Sequence, residues 1–277
     1  MKNSIYLFSL LLIFQLGFSS CGQKANSSNT NSKDTPKAIR VMTYNIHHAN
    51  PPGEAGVIDL DAIAQVIRDS KADLIAVQEL DSAAERSQNQ FQLEVLAQKL
   101  DMKFHFFRSI PLGEGSYGVG VLSRFPISQA QTIKLPEQAE HDAEDRVLGL
   151  VLVQLSDEQK IYFASTHWDY KHLENRLLQA EKTNTIASQL DAPLIIGGDF
   201  NDVTESKPMD VLREVFTDAS KEFALTIPTV NPKKRIDHIL YTNPQRFKIS
   251  SEEVITSPLS QKASDHLPYW VDLVIAD

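Results

Sequence analysis

Cysteine is nearly absent from these 277 residues: Cys21 stands alone, so no internal disulfide can form. Basic charge is also short, with 27 lysines and arginines against 36 aspartates and glutamates and a formal net charge of −9. Phosphate neutralisation by cations drives binding to long nucleic acid, so this balance argues against an extended basic groove, though not against local basic patches or a metal that supplies positive charge. One compact basic cluster exists, Lys233-Lys234-Arg235, sized for one or two phosphates. No serine or cysteine nucleophile motif occurs, and there is no internal repeat or second linker. With 42% hydrophobic residues, the chain can bury one large core or two small ones.

What is present begins with a targeting segment. Lys2 supplies a short positive region, Ile5 to Phe18 is mostly apolar, and Ser19-Ser20-Cys21-Gly22 follows. That apolar run is too short to span a bilayer and has signal-peptide proportions, which predicts a signal peptide over residues 1–20. A cysteine after small residues resembles a bacterial lipoprotein processing site, at which the cysteine is lipidated. Phe18 stands where leucine is usual, and an ordinary secreted protein cleaved nearby is the alternative. A lipid on Cys21 would hold the chain on a membrane of the cell envelope, on its periplasmic side or outer surface. Residues 21–37 are polar with almost nothing to bury and are predicted to be a disordered tether. The folded domain is expected over 38–277, single and monomeric.

Within it, Ile39–Tyr44 reads as a strand. Residues 59–70 put Leu60, Ile63 and Ile67 on one helical face, with Asp59 as N-cap. Residues 73–77, 104–107, 117–123, 147–155, 161–165, 235–241 and 269–275 are further predicted strands. Helices are predicted over 91–100, 173–190 and 209–216, the last opened by Pro208. The run Pro193-Leu194-Ile195-Ile196 reads as a buried strand ending at Gly197-Gly198, followed by Asp199 and Asn201. Alternation along an extended chain predicts these last two side chains on one side. Many short strands with a few intervening helices suggest two packed sheets covered by helices.

Polar residues fall just after apolar runs at Asn45, Glu79, His167, Asp199 with Asn201, and Asp237-His238. Asp265-His266 precedes the final strand. Loops at strand ends carry active sites on a rigid scaffold, and this set, rich in Asp, Glu, Asn and His, points to metal-assisted hydrolysis. In Thr43-Tyr44-Asn45-Ile46, Val77-Gln78-Glu79-Leu80, Gly120 to Ile127, Ser165-Thr166-His167, Gly198-Asp199-Phe200-Asn201, Arg235-Ile236-Asp237-His238 and Ser264 to Pro268, the chain resembles the endonuclease/exonuclease/phosphatase superfamily, of deoxyribonuclease I-like fold. The motifs keep the family's order across roughly 39–275. The resemblance implies a four-layer α/β/β/α sandwich, with two mixed, mostly antiparallel sheets face to face and helices outside.

The resemblance also implies roles. Glu79 would be the principal ligand of Mg²⁺ or Mn²⁺, a hard cation that prefers carboxylate oxygen, with Asn45 and Asp265 beside the metal. Asp199 would activate the attacking water and Asn201 hold a phosphoryl oxygen. His266, paired with Asp237, would contact the phosphate, and His167 would stabilise charge on the phosphoryl or leaving oxygen. Arg146 and Arg124 are either phosphate clamps or surface ion pairs. His47 and His48 either line the pocket or form a plain polar loop, and Trp168 is a buried aromatic or a substrate wall.

The expected activity is divalent-metal-dependent hydrolysis of a phosphodiester or phosphomonoester, its substrate small, lipid-linked or the end of a short nucleic acid. A lipid-directed phosphodiesterase, sphingomyelinase-like or acting on inositol phosphates, is the alternative to a nuclease. An inactive binding module on the envelope is the alternative from another class. Cys21→Ser should shift the protein from the membrane fraction to a soluble one; unchanged membrane association in that variant removes the lipoprotein reading.

Overall fold

A computed structural model describes residues 36–138, 140, 142–220 and 224–276. The expected signal peptide, Cys21 and residues 21–35 of the expected tether lie outside the described residues. No helix among the described residues is long and apolar enough to cross a membrane.

The fold opens with β1 (Ala38–Asn45), buried without a break from Val41 to Asn45, as befits a strand covered on both faces. In α1 (Leu60–Ser70), Asp59 Oδ1 accepts the Ala62 amide at 2.8 Å and caps the first turn. Leu60, Ile63, Ala64 and Ile67 form its buried stripe. Then come β2 (Leu74–Ser82), α2 (Gln92–Leu100) and the hairpin of β3 (Lys103–Leu112) and β4 (Gly115–Ser123). The second half runs through β5 (Ile127–Lys134), β6 (Val147–Gln154), β7 (Lys160–His167), α3 (Leu173–Ala187) and β8 (Leu194–Asp199). It continues with α4 (Lys207–Leu212), β9 (Thr217–Asp218), β10 (Asp237–Tyr241), β11 (Phe247–Val254), α5 (Ser260–Ala263) and β12 (Tyr269–Ile275).

Among the described residues these strands make two six-stranded sheets, ordered β11-β12-β1-β2-β4-β3 and β5-β6-β7-β8-β10-β9. Each is antiparallel except for one central parallel pair, β1–β2 and β7–β8. Side chains of both inner faces, among them Val41, Ala76, Val121, Phe163, Ile195 and Ile239, form the core between the sheets. Full burial of each larger one contributes about 1.5–3 kcal/mol relative to exposure. The helices α1, α2 and α5 pack on the outside of the first sheet, and α3 and α4 on the second. The layers number four, as the family resemblance implies.

Three strands escaped the sequence reading, one of them the two-residue β9. Both β5 and β11 are edge strands with polar, exposed faces, so neither shows an apolar run. Near its end β3 runs five residues beyond its predicted limit, past a bulge at Arg108/Ile110 and through Pro111, which an edge strand tolerates. The last predicted helix is shorter than expected, ending at Leu212 rather than Phe216.

The sheets approach closely beneath the carboxyl ends of the parallel pairs, where the facing residues Gly197, Ala76 and Thr43 are small. A side chain at Gly197 would place its first carbon 2.8 Å from Ala76 Cβ and 3.2 Å from Thr43 Cβ. Beside them Thr43 Oγ1 donates to Gln78 Oε1 at 3.2 Å, and Gln78 Nε2 donates to Ser165 Oγ at 3.1 Å, tying one sheet to the other. Gly197→Val should therefore pry the sheets apart just below the strand ends. The expected loss is about 1–3 kcal/mol in urea unfolding, typical of overpacking; an unchanged midpoint contradicts this close approach.

Candidate active site

Register alone assembles one half of the site. His167 and Asp199 are partners in the parallel β7–β8 pair, and Asp199 and Asp237 are partners in the antiparallel β8–β10 pair. Three strand ends thus present an imidazole and two carboxylates in a row, with directly opposed Cβ atoms about 4.5–5.5 Å apart. The loop before β12 adds His266, whose Nδ1 donates to Asp237 Oδ2 at 2.9 Å while Nε2 lies 3.7 Å from Asp199 Oδ2. All four residues are buried.

Burial lowers the His266 pKa, but Asp237 and Asp199 outweigh it and raise it to about 10, so the ring is an imidazolium at neutral pH. Asp199 moves the other way. Burial is the largest influence and Asp237 adds to it; His266 and the hydrogen bonds from Asn201 and Asn45 oppose them, and the carboxyl is pushed up to about 7. Asp237 has taken the short hydrogen bond to the one imidazolium, leaving Asp199 as the carboxylate poised near neutrality.

The first sheet supplies the other half. Asn45 ends β1, and its Nδ2 donates to Glu79 Oε1 at 3.1 Å and to Asp199 Oδ2 at 3.0 Å, one hydrogen to each carboxylate. Its Oδ1 accepts the His47 amide at 3.1 Å, which sets the orientation of the carboxamide. Glu79 sits at a bulge in β2 with a left-handed φ of 57°, which turns its side chain out of the strand's alternation and into the site. Burial would raise its pKa, but His48, the Asn45 amide and the His266 imidazolium hold it well below the usual carboxylate range. His48 Nδ1 lies 3.9 Å from Glu79 Oε2, beyond hydrogen-bonding reach. Ser264 Oγ donates to the Asn45 carbonyl at 2.8 Å and anchors the Asp265-His266 loop to β1.

These groups surround a cavity of about 470 Å³ that Arg146 also lines. Arg146 is 3% exposed and paired with Glu144 at 3.0 Å, and its Nε is buried without a hydrogen-bond partner. His167 Nε2 lies 3.5 Å from Asp199 Oδ2, and Tyr117 Oη lies 3.2 Å from its Nδ1. Burial and the Arg146 charge hold the His167 pKa well below its ordinary value.

A model of the Endonuclease/Exonuclease/phosphatase family matches residues 42–266, which include every one of these groups. The chain belongs to that family. It is 26% identical over 250 residues to YbhP, an uncharacterised protein of Escherichia coli strain K12, covering 85% of this chain and 96% of that one. A solved structure of an endonuclease/exonuclease/phosphatase family protein from Bacteroides thetaiotaomicron is similar with a TM-score of 0.72 at 19% identity, over 87% of this chain and 99% of that one. The mannosyl-6-phosphatase of Bacteroides thetaiotaomicron VPI-5482 gives 0.69 at 20% identity, over 86% of this chain and 100% of that one. Likeness at such identity shows the fold. As a member of this family, the chain is a hydrolase of phosphoester bonds.

Within this family member the structure brings together Asn45, Glu79, Arg146, His167, Asp199, Asn201, Asp237, Asp265 and His266. It does not bring Arg124. β4 runs antiparallel to β2, so Arg124 follows its far end, where it donates to the Ala72 carbonyl at 3.1 Å and lies 3.7 Å from Asp73. That is the ion-pair alternative, and Arg124 is no phosphate clamp of this site. Strand alternation is not what aligns Asn201 with Asp199 either. β8 ends at Asp199, and Asn201 turns back with φ 52°, its amide donating to Asp199 Oδ1 at 2.9 Å and its Nδ2 to the Trp168 carbonyl at 3.0 Å. The basic cluster is smaller than it read, because Arg235 is buried and paired with Asp218 at 2.5 Å. Trp168 is fully buried against Phe200, so it forms no substrate wall. His47 and His48 do line the cavity.

Sequence reasoning missed Tyr117, Arg86 and Tyr170, which also line it. Tyr117 lies within a predicted strand rather than at its end, so the strand-end rule passed over it. The register Leu80↔Gly118 and Asp81↔Tyr117 places it next to the Glu79 bulge.

The donor set suits a divalent cation at Glu79. Glu79 Oε1 is taken by Asn45, while among the described residues Oε2 accepts no hydrogen bond and His48 Nδ1 is a buried nitrogen with no partner. Single donor atoms of His47, His48 and Glu79 lie within 4.8 Å of one another. The same holds for Asp199, Asp237 and His266, but there the imidazolium already occupies the space between the carboxylates and is paired with Asp237.

Proposed function

We propose that the protein hydrolyses a phosphoester by attack of water on phosphorus, with Mg²⁺ or Mn²⁺ held by Glu79 with Asp265 beside it. When bound, such a cation stabilises the negative charge that develops on the phosphoryl oxygens. The observation that supports this reading most is Asp199. It is a fully buried carboxylate flanked by two imidazoles at 3.5 and 3.7 Å, opening on the cavity, with its pKa near that of a working general base.

In this reading the chain's own residues divide the labour. Asp199 takes the proton of the attacking water. The His266 imidazolium, held by Asp237, contacts the phosphoryl group and balances its charge, and Asn201 and Arg146 hold phosphoryl oxygens. His167 stabilises charge on a phosphoryl or the leaving oxygen. None of the core residues that an inactive binding module would have lost is missing here.

For the substrate we infer a small or lipid-linked phosphoester, or the end of a short nucleic acid. The overall acidity and the withdrawal of Arg235 into an ion pair both disfavour gripping a long duplex. Tyr170, 55% exposed at the cavity's rim, favours a substrate with an apolar group, which keeps the lipid-directed reading in view.

The base must be ionised and the imidazolium protonated. Turnover should therefore rise as pH climbs towards about 7 and fall as it approaches about 10. Asp199→Asn should lower turnover by about 10²–10⁴-fold and erase the acid limb. A folded variant with near-wild-type turnover, or a profile whose acid limb survives, removes Asp199 from the role of base.

A further inference from the structure

The cavity holds two imidazoles with different second partners. His266 is backed by a carboxylate. His167 is backed by a phenol, Tyr117, which sits on β4, is 8% exposed and approaches His167 Nδ1 at 3.2 Å. On the ring's other side, Nε2 lies 3.5 Å from Asp199 Oδ2.

A neutral imidazole has one ring proton, so these two contacts admit two arrangements. In the first, Nδ1–H donates to the phenol and an Nε2 lone pair faces the Asp199 carboxylate. In the second, the phenol donates to Nδ1 and Nε2–H faces Asp199. An ionised carboxylate only accepts, so the second arrangement pairs donor with acceptor at both ends and the first sets lone pair against charge. The Glu79 carboxylate and the Arg146 cation both bear on the Tyr117 oxygen in opposite senses, so it is the 3.2 Å contact with the ring that decides where the O–H points.

We infer that Tyr117 is a positioning residue for His167: its O–H donates to Nδ1 and so fixes the tautomer that presents Nε2–H to the phosphoryl group beside Asp199. The phosphoryl group rests on the function proposed above; the tautomer does not. A carboxylate in this place would draw the ring towards imidazolium, as Asp237 does for His266. A phenol orients the ring without adding charge. Burial and Arg146 hold His167 in its neutral form, consistent with that division. The site thereby offers one imidazole backed by a carboxylate and one backed by a phenol, and the two are not interchangeable.

The test joins a spectrum to a rate. Nitrogen-15 NMR of the histidine rings in the wild-type protein with Mg²⁺ should show His167 protonated on Nε2 and bare on Nδ1. Tyr117→Phe keeps the ring and removes only the hydroxyl. It should mix the two His167 tautomers, leave the His266 signals in place, and lower turnover of para-nitrophenyl phosphate or its bis-ester about 10- to 100-fold with little change in KM. A wild-type ring protonated on Nδ1 overturns the assignment. So does a folded variant in which either the tautomer or the turnover stays as in wild type. If the wild type cleaves neither ester, the proposed function is in question, yet its spectrum still decides which nitrogen carries the proton.

Discussion

Two buried carboxylates on neighbouring strands, with one imidazolium between them, set the character of this site. Asp199 and Asp237 are register partners of β8 and β10, so the fold holds like charges side by side where water cannot screen them. Ionising both without a partner would cost several kcal/mol. His266 relieves the conflict unequally, at 2.9 Å from Asp237 and 3.7 Å from Asp199. One carboxylate is locked into an ion pair and the other is left near its titration point. A symmetric arrangement would have produced two structural acids; this one leaves a carboxylate that titrates near neutrality.

The sheets make that asymmetry usable by delivering groups from both sides. The parallel pairs β1–β2 and β7–β8 bring Asn45, Glu79, His167 and Asp199 to one edge of the sandwich, as open sheets do at the carboxyl ends of parallel strands. The Asn45 amide then bridges the halves, with one hydrogen on Glu79 and one on Asp199. Any shift of one sheet against the other would break that bridge. The small residues and the Thr43–Gln78–Ser165 hydrogen bonds beneath it give the sheets little freedom to slide.

Much of this was legible in the chain because the site lies where apolar runs stop. Asn45, His167 and Asp199 end buried strands, and Asp237 begins one, so period and polarity locate them before any coordinates do. Other features depend on backbone geometry that no pattern announces. Asn201 reaches Asp199 through a left-handed turn, and Glu79 faces the site through a bulge. Tyr117 acts from the side of a strand, and its partner lies 50 residues away. Arg124 misled because its neighbours match the family's motif, while strand direction carries it to the opposite end of the sheet. Arg235 misled because a run of three cations looks solvated until Asp218 is found beside one of them.

The central claim is that the carboxylates and imidazoles of this cavity work with a divalent cation at Glu79 to hydrolyse a phosphoester. Turnover of such an ester, measured before chelation, after EDTA and after Mg²⁺ or Mn²⁺ is restored, tests it most directly. The account predicts loss of activity on chelation and recovery on adding the cation back. Undiminished turnover in EDTA contradicts it.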